Sequence, residues 1–226
     1  GRSQHLHHLK NNGVGDIIIN DSITTRNNGS LYVNINDGKL DIKSGTIDGE
    51  ASIYSGKGNI FLTKFNVNDD LNVRAKDGNV IIYDDTNIGG NATLKSDTNS
   101  VGLGNAYVGE DLNISAQKLA YIEDAVVGGS MQMRGLDDAV EAHSLEVGKD
   151  LIINTNTGNI IVENATVGED SYISIDGDGG NIDINKIKTG KDFVGDLIIT
   201  SQSEHVDKQG NPINHIKIND AVAADR

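Results

Sequence analysis

Apolar residues recur along this chain in short bursts, at every second position. Leu71, Val73 and Ala75 form one burst and Leu112, Ile114 and Ala116 another, with polar residues between them. Alternation of period two marks a strand with one buried face, whereas a helix would repeat at three and four. A glycine-bearing turn follows many of the bursts, among them Asp37-Gly38-Lys39, Lys57-Gly58-Asn59, Asp77-Gly78-Asn79, Thr157-Gly158-Asn159 and Gly179-Gly180-Asn181. Beyond each turn lies a second burst, such as Val80 and Ile82 or Ile160 and Val162, and a third short segment closes on Val67, Ile88, Val108, Val127, Val147 or Val167. Three short strands and three bends therefore make one unit.

The unit repeats. Val108-Gly109-Glu110-Asp111-Leu112 returns as Val147-Gly148-Lys149-Asp150-Leu151 and, in part, as Val167-Gly168-Glu169-Asp170. Looser copies start at Asn27, Ile47, Val67, Ile88, Val127 and Thr189, the last reading Thr189-Gly190-Lys191-Asp192-Phe193. The second residues of these phrases fall at 28, 48, 68, 89, 109, 128, 148, 168 and 190, so the steps are 20, 20, 21, 20, 19, 20, 20 and 22. A fixed period of this size is the mark of a solenoid, since strands of about 3–5 residues joined by three bends use roughly 20 residues per rung. The expected fold is all-β: a right-handed parallel β-helix, in which rungs stack at about 4.8 Å. Its interior ladders would place Leu71 beneath Ala92, Leu112, Met131 and Leu151, and Val73 beside Leu94, Ile114, Met133 and Ile153. The aliphatic filling fits a thin tube, which aromatic residues would make bulge. Residues 1–13 read as a flexible N-terminal segment or cloning remnant, 14–200 as the shaft, and 201–226 as an extruded loop and terminal strand of the same solenoid. Neither end offers an amphipathic cap, and open β edges invite polymerisation, so the chain is expected to be a segment of a longer solenoid.

Composition agrees with this reading and narrows it. The 226 residues include 27 glycines and 26 asparagines, poor helix formers that suit corners. With no cysteine there is no disulfide framework, thiolate metal site or cysteine nucleophile. The net charge of −14 and the lack of a basic block argue against nucleic acid as a partner, and no apolar run is long enough to span a membrane.

Candidate chemistry is sparse. The acidic pairs Asp84 and Asp85, Glu123 and Asp124, and Asp137 and Asp138 have the side chains of a glycosidase acid and base. Neighbours along a strand point to opposite faces, so such pairs read as solvated turn residues. The six tyrosines sit at different offsets in the repeat and offer no evident aromatic platform. Asp176-Gly177-Asp178-Gly179-Gly180-Asn181-Ile182-Asp183 carries oxygen ligands at calcium-like spacing, but it occurs once and lacks the closing glutamate of a calcium loop. The aspartates Asp70, Asp111, Asp150, Asp170 and Asp192 recur once per rung, as corner residues whose carboxylates accept the N–H two residues on. His5, His7 and His8 could bind metal ions opportunistically, whereas His143, His205 and His215 show no metal-ligand spacing. No catalytic, cofactor-binding or metal residue is assigned, and no cofactor is expected.

The phrase of valine, glycine, a polar residue, aspartate and leucine, followed by alternating apolar residues and a glycine–asparagine–isoleucine turn, resembles the filamentous haemagglutinin family. The matching runs are 68–82, 109–114, 148–162 and 168–184. The resemblance implies a large adhesin of a Gram-negative bacterium, exported by an outer-membrane transporter and secreted or held at the cell surface. On it, the chain is a non-enzymatic structural or adhesive shaft that holds a distal binding or toxin region away from the cell. Partners would be a host-cell or bacterial-surface receptor or a glycan. Two other classes share such repeats: β-helical proteins that bind or degrade polysaccharides, and self-polymerising cytoskeletal solenoids. The segments 97–105 and 203–215, and the rung in which Gly135-Leu136-Asp137 replaces the usual turn, are the places where a binding feature is expected.

Overall fold

The computed structural model describes residues 6–191, 194–202, 206–211 and 214–224. Asp192 and Phe193 of the last repeat phrase, His5, His205, Pro212 and parts of the 203–215 loop lie outside the described residues.

The described residues form a parallel β-solenoid of ten rungs. One ten-stranded sheet stacks Leu6–Val14, Ser30–Asp37, Ala51–Lys57, Leu71–Asp77, Ala92–Ser96, Leu112–Ala116, Met131–Gly135, Leu151–Thr155, Ser171–Ile175 and Leu197–Ser201 in sequence order. A fourteen-stranded second sheet takes the rest of each rung. In the first four rungs this second part is split by a corner, as in Ile60–Thr63 and Phe65–Val67. From the fifth rung on it is one strand, as in Ala120–Val127. All pairings between rungs are parallel. Nine inter-rung steps of about 4.8 Å give a stack roughly 43 Å long.

Side chains inside the tube form the expected ladders. Ala51, Leu71, Ala92, Leu112, Met131 and Leu151 face one another in register, and none is more than 1% exposed. Val73, Leu94, Ile114, Met133 and Ile153 run beside them. A single rung has its apolar edge open above and below, so each such side chain gains its burial, about 1.5–3 kcal/mol for a Val, Leu or Ile, only from its neighbours.

The irregular steps have local causes. The step of 21 comes from the corner Tyr83-Asp84-Asp85, which inserts three residues between Ile82 and Thr86 where Leu62 and Phe65 are separated by two. The step of 19 comes from the three-residue turn Gln117-Lys118-Leu119. The step of 22 is the enlarged turn from Asp176 to Asn181, where Gly179 and Gly180 take φ values of 105° and 77°.

Three features depart from the sequence reading. The first strand begins at Leu6 and pairs with Ser30–Asp37, so the sheet extends into residues read as lying before the shaft. The ninth phrase is lengthened by four residues: Leu197 pairs with Ser171, and Asp196 takes the corner position assigned to Asp192. Finally, an aromatic residue does enter the tube. Phe65 is fully buried, opposite Gly45 of the preceding rung. Beyond the last strand of the first sheet, Ile216–Ala223 pairs in the second sheet against Ile182–Thr189.

Candidate functional site

Corner residues are held by two ladders of side-chain acceptors. At the corner entering the first sheet, the Asp70 carboxylate accepts the N–H of Asn91 at 2.7 Å, the Asn91 amide oxygen accepts Asp111 N–H at 3.0 Å, and the Asp111 carboxylate accepts Ser130 N–H at 2.8 Å. Asp150 and Asp170 continue the series, accepting Asp170 and Asp196 N–H at 3.0 and 2.8 Å. The recurring aspartates thus serve the equivalent residue of the next rung, not the residue two positions on in their own. At the opposite corner Asn59, Asn79, Asn159 and Asn181 do the same for Asn79, Ser100, Asn181 and His215. Small polar residues at the end of the first sheet close the same turns from inside: Ser96 and Thr155 donate to the carbonyls of Gly78 and Gly158 at 2.6 and 2.7 Å. Glycines let the corners stack this closely. A Cβ on Gly109 would lie well inside van der Waals contact with the carbonyl oxygen of Gly89. These groups are occupied in architecture.

The acidic pairs are placed differently from one another. Within the second sheet the alternation slips by one residue at the mid-strand corner, so Glu123 and Asp124 are both exposed, as are Asp84 and Asp85. Sequence neighbours therefore do share the solvent side here. Asp124 lies in register with Asn105 and Ser144, and Asp85, Asn87, Asn105, Tyr107 and Asp124 line one shallow hollow of about 330 Å³. Asp137 is elsewhere, in the turn between the sheets, where it accepts the Gln117 amide at 2.6 Å. Asp84, Asp124 and Asp137 do not line one face, and the three-carboxylate cleft expected of a β-helical polysaccharide enzyme is not assembled from them.

The calcium-like stretch is tied to its own strand and to the preceding rung. Ser174 Oγ and Asn154 Nδ2 donate to the Asp176 carboxylate at 2.9 and 3.2 Å. Among the described residues, no three His, Cys, Asp or Glu side chains converge on a common metal position. The histidines are dispersed: His8 stacks on Tyr32 at 5.4 Å, His143 Nδ1 lies 4.0 Å from Glu123 Oε1, and His215 Nε2 lies 3.0 Å from Asp183 Oδ1.

A second hollow lies over the segment 97–105, one of the places where a binding feature is expected, though the sequence singles out no residue within it. Gly102 and Gly104 form its floor in the fifth rung, and Ile81, Tyr83, Asp84 and Tyr121 stand around it, with a volume of about 340 Å³. Tyr83 is stacked on Phe61, ring centroids 6.3 Å apart and planes 11° from parallel. Tyr121 is fixed by its hydroxyl, which donates to Glu123, and that bond raises the phenol above its ordinary pKa. The tyrosines do sit at different repeat offsets, but the hollow spans both offsets. The signal available was the pair of glycines at outward strand positions, where no turn is due.

Electrostatics along the first sheet centre on one pair. Arg74 binds Asp97 of the next rung through two hydrogen bonds, at 3.0 and 2.5 Å, and lies 5.8 Å above the Tyr54 ring. The hydrogen bond from Arg74, with its positive charge, holds the Asp97 carboxyl below the usual carboxylate range. Among the described residues no helix is long and apolar enough to cross a membrane. The chain matches no family model, no curated protein and no solved structure.

Proposed function

We propose that this chain is a non-enzymatic shaft, a stiff segment of a large exported bacterial surface protein that carries a binding or toxin region away from the cell. The observation that supports it most is the continuity of the ladders. The inward columns keep register over the stack, and the corner acceptors hand each rung's N–H groups to the one before. Such a stack resists bending because every rung is packed on two others, while its sequence is used almost wholly for stacking. The repeat phrase's resemblance to filamentous haemagglutinins supports export through an outer-membrane transporter and location at the surface of, or secretion from, a Gram-negative cell. Secreted fibres need no cysteine, and a net charge of −14 suits a solvent-exposed rod.

Antibodies against this segment, applied to intact cells that make the native protein, test the reading. Surface labelling that is lost after external protease treatment is expected. Filaments labelled only inside permeabilised cells would overturn it in favour of a cytoskeletal solenoid.

A further inference from the structure

The outward column of the second sheet reads Asp41, Phe61, Ile81, Gly102, Tyr121 and Glu141, in register from rung two to rung seven. Only rung five leaves it empty. Gly102 has no backbone reason to be glycine. It is absent from the positive-φ positions, and a Cβ there would meet nothing within 4 Å. Glycine inside a strand weakens it and marks close approach of another group. Its neighbours make a slot. Ile81 of rung four and Tyr121 of rung six flank Gly102 in its own column, two steps or about 9.6 Å apart along the stack. Tyr83 stands one outward position further along rung four. A saccharide ring touching an atom layer on each side needs about 7–8 Å. Tyr83 is braced by Phe61 and Tyr121 by Glu123.

The polar groups point to the class of ring. Asp84 and Ser100 line this hollow, and Asp85, Asn105 and Asp124 line the adjoining one around the corner. No lysine or arginine lines either, and the chain carries a net charge of −14. Carboxylates and amides of this kind accept hydroxyl hydrogens and repel anions. An apolar slot with a few convergent acceptors is the ordinary form of a small-ligand site.

We propose that the two hollows bind consecutive residues of a neutral glycan, one pyranose ring entering over Gly102 between Ile81 and Tyr121 and against Tyr83, and the next meeting Asp85, Asn105 and Asp124. The site stands on its own geometry and does not depend on where the protein is located.

Saturation-transfer NMR on the full chain tests it, with chitotetraose, maltotetraose and mannotetraose as neutral probes and sialyllactose and a heparin tetrasaccharide as acidic ones. At least one neutral probe is expected to bind at millimolar concentration and the acidic ones not. Gly102→Ile fills the slot with a good strand former, so it should weaken binding by more than about tenfold while leaving Tm unchanged or higher. Tyr83→Ser, at a half-exposed position, should weaken binding similarly and guards against a Gly102→Ile chain that fails to fold. Failure of every neutral probe, preference for the acidic ones, or unchanged binding in folded Gly102→Ile would overturn the proposal. So would Gly102→Ile dissociating a dimer, which would make the slot a contact between copies of this chain.

Discussion

Gly45 lies opposite Phe65 of the next rung, and the phenylalanine ring occupies the space that a side chain at position 45 would need. One rung gives up volume so that its neighbour can hold an aromatic residue without swelling the tube. Gly45→Val should therefore overpack the site and cost about 1–3 kcal/mol, and Phe65→Ala should cost about 3–5 kcal/mol through the cavity it leaves. The double variant Gly45→Val/Phe65→Ala should lose less than the two single changes together, since the valine enters the space the ring leaves. Urea denaturation of the four proteins, compared at a common m value, measures this.

Thr86 follows Phe65 in the same inward column and is 1% exposed, and its hydroxyl has no hydrogen-bond partner. A buried, unsatisfied hydroxyl costs about 1–3 kcal/mol. Thr86→Val keeps the shape and removes the polar atom, so it should stabilise the chain by about 1 kcal/mol. Thr86→Ser keeps the hydroxyl and loses the methyl, so it should destabilise. The midpoints of thermal unfolding should rank valine above threonine above serine.

The corner ladder sets a third expectation. Asp111→Ala removes the acceptor for Ser130 N–H and should cost about 0.5–1.5 kcal/mol. Asp111→Asn retains an acceptor, as Asn91 does one rung earlier, and thins a column of like charge. It should be neutral or slightly stabilising, most visibly at low salt. Equilibrium unfolding at two ionic strengths separates the variants.

Much of this was legible in the sequence because a solenoid writes its contacts at a fixed interval. Leu71, Leu112 and Leu151 occupy the same offset, so their ladder could be read directly. What escaped was set between rungs rather than within one. Whether Asp111 bonds its own rung or the next depends on a backbone separation that no motif states, and the structure chooses the next. The accommodation of Phe65 by Gly45 needs the register of two paired strands that are not consecutive in the chain. The sequence marks the segment 97–105 as a place for a binding feature, but glycine is common at corners, and only the two sheets show that Gly102 is not a corner. The lengthened phrase before Leu197 misled for a related reason: Asp192 matches the motif, but Asp196 makes the bond.

The pair Arg74 and Asp97 predicts a pH dependence. The folded carboxyl lies below its ordinary value, chiefly through the hydrogen bond from Arg74. A depressed carboxyl stabilises the fold above its unfolded pKa, near about 4, and that contribution is lost as pH falls through the lower folded value. Asp97→Asn should therefore lower Tm at pH 7 by more than it does in acid, the gap closing below about pH 4. Arg74→Ala should show the same trend on top of a pH-independent loss of its contact with Tyr54. Thermal melts across the acid range give both.

Stiffness and rung order are the centre of this account, and a distance measures them. Asn34 and Ser174 share one outward column, seven register steps apart through Tyr54, Arg74, Lys95, Ser115, Arg134 and Asn154. The chain has no cysteine, so Asn34→Cys/Ser174→Cys gives two unique spin-label sites. Pulsed electron–electron resonance should show a single narrow distribution centred near about 34 Å. A broad distribution, or a narrow one centred far from that value, would contradict a rigid stack with this register.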